Sequence, residues 1–276
     1  MKTLLATTDF SENSKGGIRL SIYLAQLTDF KLRFIYVSPL IAKISKPPKK
    51  DKAVYDDLIE KLKQFVAEVY KEMKIAPFQE EDYVVIEGAK ADSSLLHYCE
   101  EQEDISYICI STIGASGLGK FLGTIASHLI SKSPIPILIA PANYQPQPIN
   151  LLLYATDLKN YSDEIKQVVA FAKPLQAKVE ALHLVSLQAQ APDEETIKML
   201  QETVNYKVDF QIKEKDIVSP MIDHLKKQIA LQKPSMLILF TDQHRSLFQK
   251  IFLSSLSEDL TFQPTIPMLI FNKYLE

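Results

Sequence analysis

KTLLATTDFSENSKGGIRLSIYLAQLTDFKLRFIYV, residues 2–37, reads as strand, helix, strand. An apolar run over 4–7 ends at Thr8 and Asp9, an amphipathic segment over 14–28 follows, and a second apolar run over 32–37 closes the unit. The plan returns in NLLLYATDLKNYSDEIKQVVAFAKPLQAKVEALHLV, residues 150–185, with Asp157 in the place of Asp9. The closings also correspond, since SPIPILIA sets Pro136 before an apolar run and PTIPMLIF does the same with Pro267. This internal duplication divides the chain better than composition does. PANYQPQP, residues 141–148, breaks both periodicities and reads as the linker, which predicts domains over 1–141 and 149–276.

Within the first half, strands are expected over 4–7, 32–37, 83–86, 107–110 and 137–140, and helices over 14–28, 54–73, 93–101 and 120–131. Val54, Leu58, Leu62, Phe65, Val69 and Met73 recur at helical spacing and predict one buried face. Continuous apolar strands between such helices indicate a parallel sheet covered on both sides, hence an α/β sandwich. In the second half strands are expected over 151–155, 179–185, 208–212, 236–240 and 267–271, with helices over 163–173, 194–205 and 221–232.

A chain of 276 residues can bury a large core and fits two domains. With 31 basic against 34 acidic residues, the net charge of −3 gives no general reason to expect a nucleic-acid partner. The basic stretch KISKPPKKDK, residues 43–52, reads as a solvated loop because of its prolines. Two cysteines outside any CxxC pair predict a reducing compartment. MKTLLATTDFSENS lacks an apolar run ending in a small-residue cleavage site, and no apolar run of about 20 residues is present to cross a bilayer. A cytoplasmic protein without membrane partners is the expectation.

The second decisive stretch is IGASGLGKFLGT, residues 113–124. Gly114, Gly119 and Lys120 match the start of a P-loop, but Phe121 stands where a hydroxyl should reach magnesium, so a P-loop hydrolase is not expected. Two readings remain. Closely spaced glycines let backbone N–H groups approach an anion at the start of the next helix, with Ser111, Thr112, Ser116 and Thr124 as further donors. Alternatively, Gly114 and Gly117 serve tight turns and Gly123 permits close helix packing.

TLLATTDFS, the Glu87–Gly88 turn after YVVI, GASGLGKFLGT after YICI, and SPIPILIA together resemble the universal stress protein family in a tandem two-domain form. The resemblance covers both halves. It implies two similar sandwiches with five-stranded parallel sheets of the adenine nucleotide alpha-hydrolase-like kind, arranged as an intramolecular pseudo-dimer. It also implies ATP as the ligand of the nucleotide-binding branch. Carried over by position, Asp9 lies on the adenine or ribose side, Val37 lies by the base, and Gly88 lets the chain pass closely. Gly114 takes the second motif glycine, with Gly117 in the same segment, and Gly123 and Thr124 close the motif near phosphate. The chain departs from the family pattern at Ser111, where the first glycine is expected, and in the eight residues between Gly114 and Gly123, where nine are expected. In the second half Asp157 is retained, but 242–256 contains no glycine, which predicts a degenerate domain with a structural role. Protein partners or self-association complete the implied function.

Asp9 and Asp157 fit ligand contact at strand ends and equally fit hydrogen bonding at a helix start. His97, His128, His183, His224 and His244 form no HExxH or dense ligand cluster, so no metal site is expected. Ser116 in GASGL does not fit G-x-S-x-G, and Cys109 within YICI should be buried. The sequence offers no set of catalytic groups.

Overall fold

The computed structural model describes residues 2–39, 52–112, 124–186, 191–216, 219–241 and 265–272. They divide into two compact units, Met1–Pro146 and Gln147–Glu276.

In unit 1 the chain runs β1 (Thr3–Thr8), α1 (Lys15–Leu27), β2 (Lys31–Ser38), α2 (Lys52–Met73), β3 (Glu81–Glu87), α3 (Ala91–Glu100), β4 (Ile105–Ser111), α4 (Thr124–Lys132) and β5 (Ile137–Ala140). A 3-10 turn at Glu12–Ser14 leads into α1. The strands are parallel in the order β3-β2-β1-β4-β5. Right-handed crossovers then place α1 and α2 on one face and α3 and α4 on the other, in agreement with the helix pairs that touch. The inner strands β1 and β4 are buried at most positions and β5 at every position, as a sheet covered on both faces requires.

Unit 2 repeats the plan with β6 (Leu151–Thr156), α5 (Tyr161–Leu175), β7 (Lys178–Ser186), α6 (Glu194–Gln201), β8 (Val208–Lys215), α7 (Met221–Gln232), β9 (Met236–Thr241) and β10 (Met268–Asn272). Its parallel order, β8-β7-β6-β9-β10, is that of unit 1. In both units the chain moves outward from the first strand in one direction, then returns to its other side. That reversal leaves a crevice at the C-terminal ends of β1 and β4, and of β6 and β9, where ligands of open parallel sheets bind.

Two sequence expectations need correction, and a third lies partly outside the described residues. The buried stripe of α2 is Leu58, Leu62, Val66, Val69 and Tyr70, whereas Val54 is exposed and Phe65 and Met73 are only partly covered. A helix of 22 residues is about 33 Å long and the 8-residue β2 only about 26 Å, so the first turn of α2 overhangs the sheet. Helix α6 ends at Gln201, not 205, because none of its residues is buried and no packing extends it. The described part of α4 begins at Thr124, and the 120–123 portion of the expected helix lies outside the described residues.

Candidate functional site

The crevice of unit 1 is built first by the turn that leaves β1. Thr8 Oγ1 accepts the Phe10 N–H at 3.0 Å and pairs with Ser14 Oγ at 2.7 Å. Asp9 Oδ1 accepts both the N–H and the hydroxyl of Ser11, at 2.9 and 2.5 Å. Ser11 in turn caps the 3-10 turn by accepting from the Ser14 N–H. Asp9 is exposed, so its helix-start role is realised through Ser11 while its side chain remains at the open edge. Its second oxygen, Oδ2, has no partner among the described residues.

Val37 and Gly88 meet one strand further out. The Gly88 N–H donates to the Ser38 carbonyl, and a Cβ on Gly88 would lie 1.9 Å from Ser94 Oγ and 3.1 Å from Val37 Cγ1. The glycine is therefore required by the close approach of α3.

Ser111 ends β4 on the other side of the crevice. Its hydroxyl accepts the Gly17 N–H at 2.5 Å and donates to the Ser14 carbonyl at 3.1 Å. One of the free N–H groups at the start of α1 is thus capped from a distant strand. Next to it, the Thr112 N–H donates to the Ala140 carbonyl, and Thr112 Oγ1 accepts from the Ala142 N–H. Thr124 opens α4, whereas Gly114, Gly117 and Gly123 lie outside the described residues. Asp9, Val37, Gly88 and Ser111 are therefore all at the C-terminal edge of one sheet, on neighbouring strands.

Several residues that shape this edge have no separate signal in the periodicity. A Cβ on Gly16 would sit 2.2 Å from the Pro141 carbonyl oxygen, and one on Gly17 would sit 3.1 Å from both the Ile110 carbonyl carbon and Ser111 Oγ. The first turn of α1 is wedged against the ends of β4 and β5, a demand that the doubled glycine of SKGG could have signalled. Lys15 is buried between α1 and α2, 2.8 Å from both Glu12 and Glu72 and 3.8 Å from Glu68. Its hydrogen bonds to Glu12 and then Glu72 raise its pKa, and Glu72 is lowered by Lys15 and Arg19. Phe10 packs on Tyr36 at 4.3 Å and edge-on to Phe65 at 5.6 Å, with Lys61 Nζ 4.5 Å above its ring.

Unit 2 carries the same turn with different surroundings. Thr156 Oγ1 accepts the Leu158 N–H at 3.0 Å, and Asp157 Oδ1 accepts the Lys159 N–H at 3.1 Å. The His183 Nδ1–H donates to the Thr156 carbonyl at 3.0 Å. The glycine-free segment 242–256 lies outside the described residues.

The remaining sequence candidates are scattered. His97 is exposed beside Glu100 and Glu101, His128 pairs with Asp92 at 2.8 Å, and His224 lies 3.5 Å from Asp216. Cys99 is buried; Cys109, also buried, donates to the Gly17 carbonyl, and burial pushes its thiol up to about 12. Ser116 and His244 lie outside the described residues. Among the described residues no group of three or more His, Cys, Asp or Glu could hold a metal ion, and no helix is long and apolar enough to cross a membrane.

Similarity to known proteins agrees with this geometry. A universal stress protein from Archaeoglobus fulgidus DSM 4304 superposes with a TM-score of 0.65 at 17% identity, covering 99% of this chain and 98% of that one. A protein of unknown function from Pseudomonas aeruginosa PAO1 gives 0.56 at 13% identity, covering 99% and 92%. The cytoplasmic domain of a prokaryotic cation chloride cotransporter gives 0.52 at 11%, covering 98% and 94%, so one fold serves proteins of different kinds. No curated protein matches the sequence. The sequence profile of the universal stress protein family matches residues 1–141, about half of the chain, and the chain belongs to that family.

Proposed function

We propose that unit 1 holds an adenine nucleotide at the C-terminal edge of β1, β2 and β4, and that this stress-response protein acts through conformation or association, without efficient turnover of the nucleotide. The site is assigned to domain 1–141 and a supporting role to the degenerate domain 149–276, with protein partners or a further copy of the chain as the associating species and the cytoplasm as the setting. The reading is carried by the convergence of Asp9, Val37 and Gly88 beside the reversal of strand order, with one Asp9 carboxylate oxygen unused. The glycine segment that follows β4 adds backbone donors on the sequence level. ATP is the first ligand to test. Glu12, the carboxylate next along the chain, is paired with Lys15 at 2.8 Å, which favours binding over hydrolysis.

Ser111 favours a second reading, an interaction scaffold of the same fold that binds no nucleotide. Its hydroxyl already fills the space between β4 and α1 and occupies the Gly17 N–H. Isothermal titration with ATP, ADP and AMP separates the two. Saturable binding weakened by Asp9→Ala and Gly114→Val supports the nucleotide; absence of heat at millimolar nucleotide overturns it and leaves the scaffold.

A further inference from the structure

Among the described residues, five non-glycine residues have a left-handed backbone: Phe10, Lys74, Leu158, Gln176 and Lys233. Lys74, Gln176 and Lys233 directly follow helices α2, α5 and α7, where that conformation is an ordinary way to end a helix. Phe10 at φ 63° and Leu158 at φ 66° are different. Each follows the strand-end aspartate, and each carries a bulky side chain that the left-handed region disfavours. Duplication has kept the conformation together with its two supporting bonds, from the bulky residue's N–H to threonine Oγ1 and from the next N–H to aspartate Oδ1.

In unit 1 the surroundings show what compensates for this backbone. Tyr36, Phe65 and Lys61 enclose the Phe10 ring on the α2 side of the sheet. With the ring held there, residue 10 cannot relax to a right-handed or extended conformation without giving up three packing partners. The Ser11 N–H is thereby kept facing Asp9 Oδ1, and Oδ2 is the oxygen left over. We propose that Phe10 is a positioning residue, which holds the Asp9 carboxylate with one oxygen committed to its own turn and the other presented to a hydrogen-bond donor of the nucleotide, an exocyclic amine or a ribose hydroxyl. This rests on the nucleotide reading of unit 1 and names the residue that orients its acceptor.

The test compares wild type, Phe10→Ala, Phe10→Leu and Phe10→Gly in the full chain, by titration with ATP and by hydrogen exchange at the Ser11 amide. Phe10→Ala keeps the disfavoured backbone but loses the clamp, so affinity falls by about tenfold and Ser11 exchange accelerates, the size expected for one misdirected hydrogen bond. Phe10→Leu, the residue that stands at 158, restores both to within about threefold. Should Phe10→Ala fail to fold, Phe10→Gly takes its place, since glycine reaches the left-handed region freely but cannot be clamped. Binding within about twofold of wild type in Phe10→Ala or Phe10→Gly overturns the proposal. If wild type itself binds no nucleotide, the nucleotide reading fails, and Ser11 exchange decides alone: acceleration supports the orienting role of Phe10 and unchanged protection overturns it.

Discussion

The two units have the same strand order and the same turn after the first strand, yet the helix that follows packs on opposite kinds of surface. In unit 1 Ala6 lies beside Phe34 on β2 and Cys109 on β4, and Ser111 lies beside Ala140. Small side chains there let α1 descend until Gly16 and Gly17 touch backbone. At the corresponding positions unit 2 has Tyr154 beside Ala181 and Ile238, and Phe240 beside Phe271. Phe240 stacks on Phe271 at 4.8 Å and meets Tyr154 edge-on at 5.7 Å. Where unit 1 has Gly16, α5 carries the buried Glu164, which accepts from the Tyr154 hydroxyl. One pair exchanges volume outright, Ala6 with Phe34 becoming Tyr154 with Ala181. The same kind of sheet is thus covered by a close helix in one unit and by large rings in the other. In unit 1 this leaves Ser111 beside Ala140 and Gly17, while in unit 2 the corresponding positions carry the rings of Phe240 and Phe271.

The comparison can be broken most severely at Tyr154. Tyr154→Ala removes a fully buried ring and the partner of Glu164, and should destabilise unit 2 by about 3–5 kcal/mol. If volume exchange is the rule, adding Ala181→Phe recovers at least about 1 kcal/mol, a coupling that a double-mutant cycle in urea unfolding would read. The two units can unfold in separate steps, so each variant is followed by hydrogen exchange within its own unit. In unit 1 the counterpart is Gly16→Ala, expected to cost about 1–3 kcal/mol because its Cβ must displace the Pro141 carbonyl. The sign is informative, since Gly→Ala in an unobstructed helix stabilises by up to about 1 kcal/mol.

Lys15→Ala sharpens the comparison at the helix start and should cost about 1–2 kcal/mol, because the carboxylates it leaves behind can still reach water. The raised pKa of Lys15 contributes stability that is present below 10.5 and lost as pH climbs through the folded value. The depressed pKa of Glu72 contributes stability that is present above 4.5 and lost as pH falls through its folded value. The difference between wild type and Lys15→Ala should therefore be level between those limits and shrink beyond either, as chemical unfolding across a pH series would show. The smallest effect is expected where the units agree. Asp9→Ala and Asp157→Ala should each cost about 1 kcal/mol, the loss of turn hydrogen bonds, with similar values in the two units.

The order of strands and helices was legible because each element has its own short-range signature, and the doubled TDF and TDL turns marked equivalent points. The stripe of α2 was legible only in part. Its spacing is compatible with either Phe65 or Val66 facing the sheet, and the choice is made by Phe10, which takes the Phe65 ring from the sequence-distant turn after β1. The same applies to Ser111, which reads in the sequence as a lost glycine and is in fact a cap for α1 reached across the sheet. Gly16, a residue type that weakens an ordinary helix, is a packing necessity here.

By itself the amino-acid sequence determined the duplicated α/β plan, the strand-end aspartates and the place of the glycine segment, because apolar period and turn chemistry act over a few neighbouring residues. Tertiary structure alone decided which large side chain fills which gap, why Phe10 can hold a left-handed backbone, and which oxygen of Asp9 is committed to its own turn. Those outcomes depend on side chains far apart in the chain, whose volumes and hydrogen bonds become linked only when the strands are set side by side.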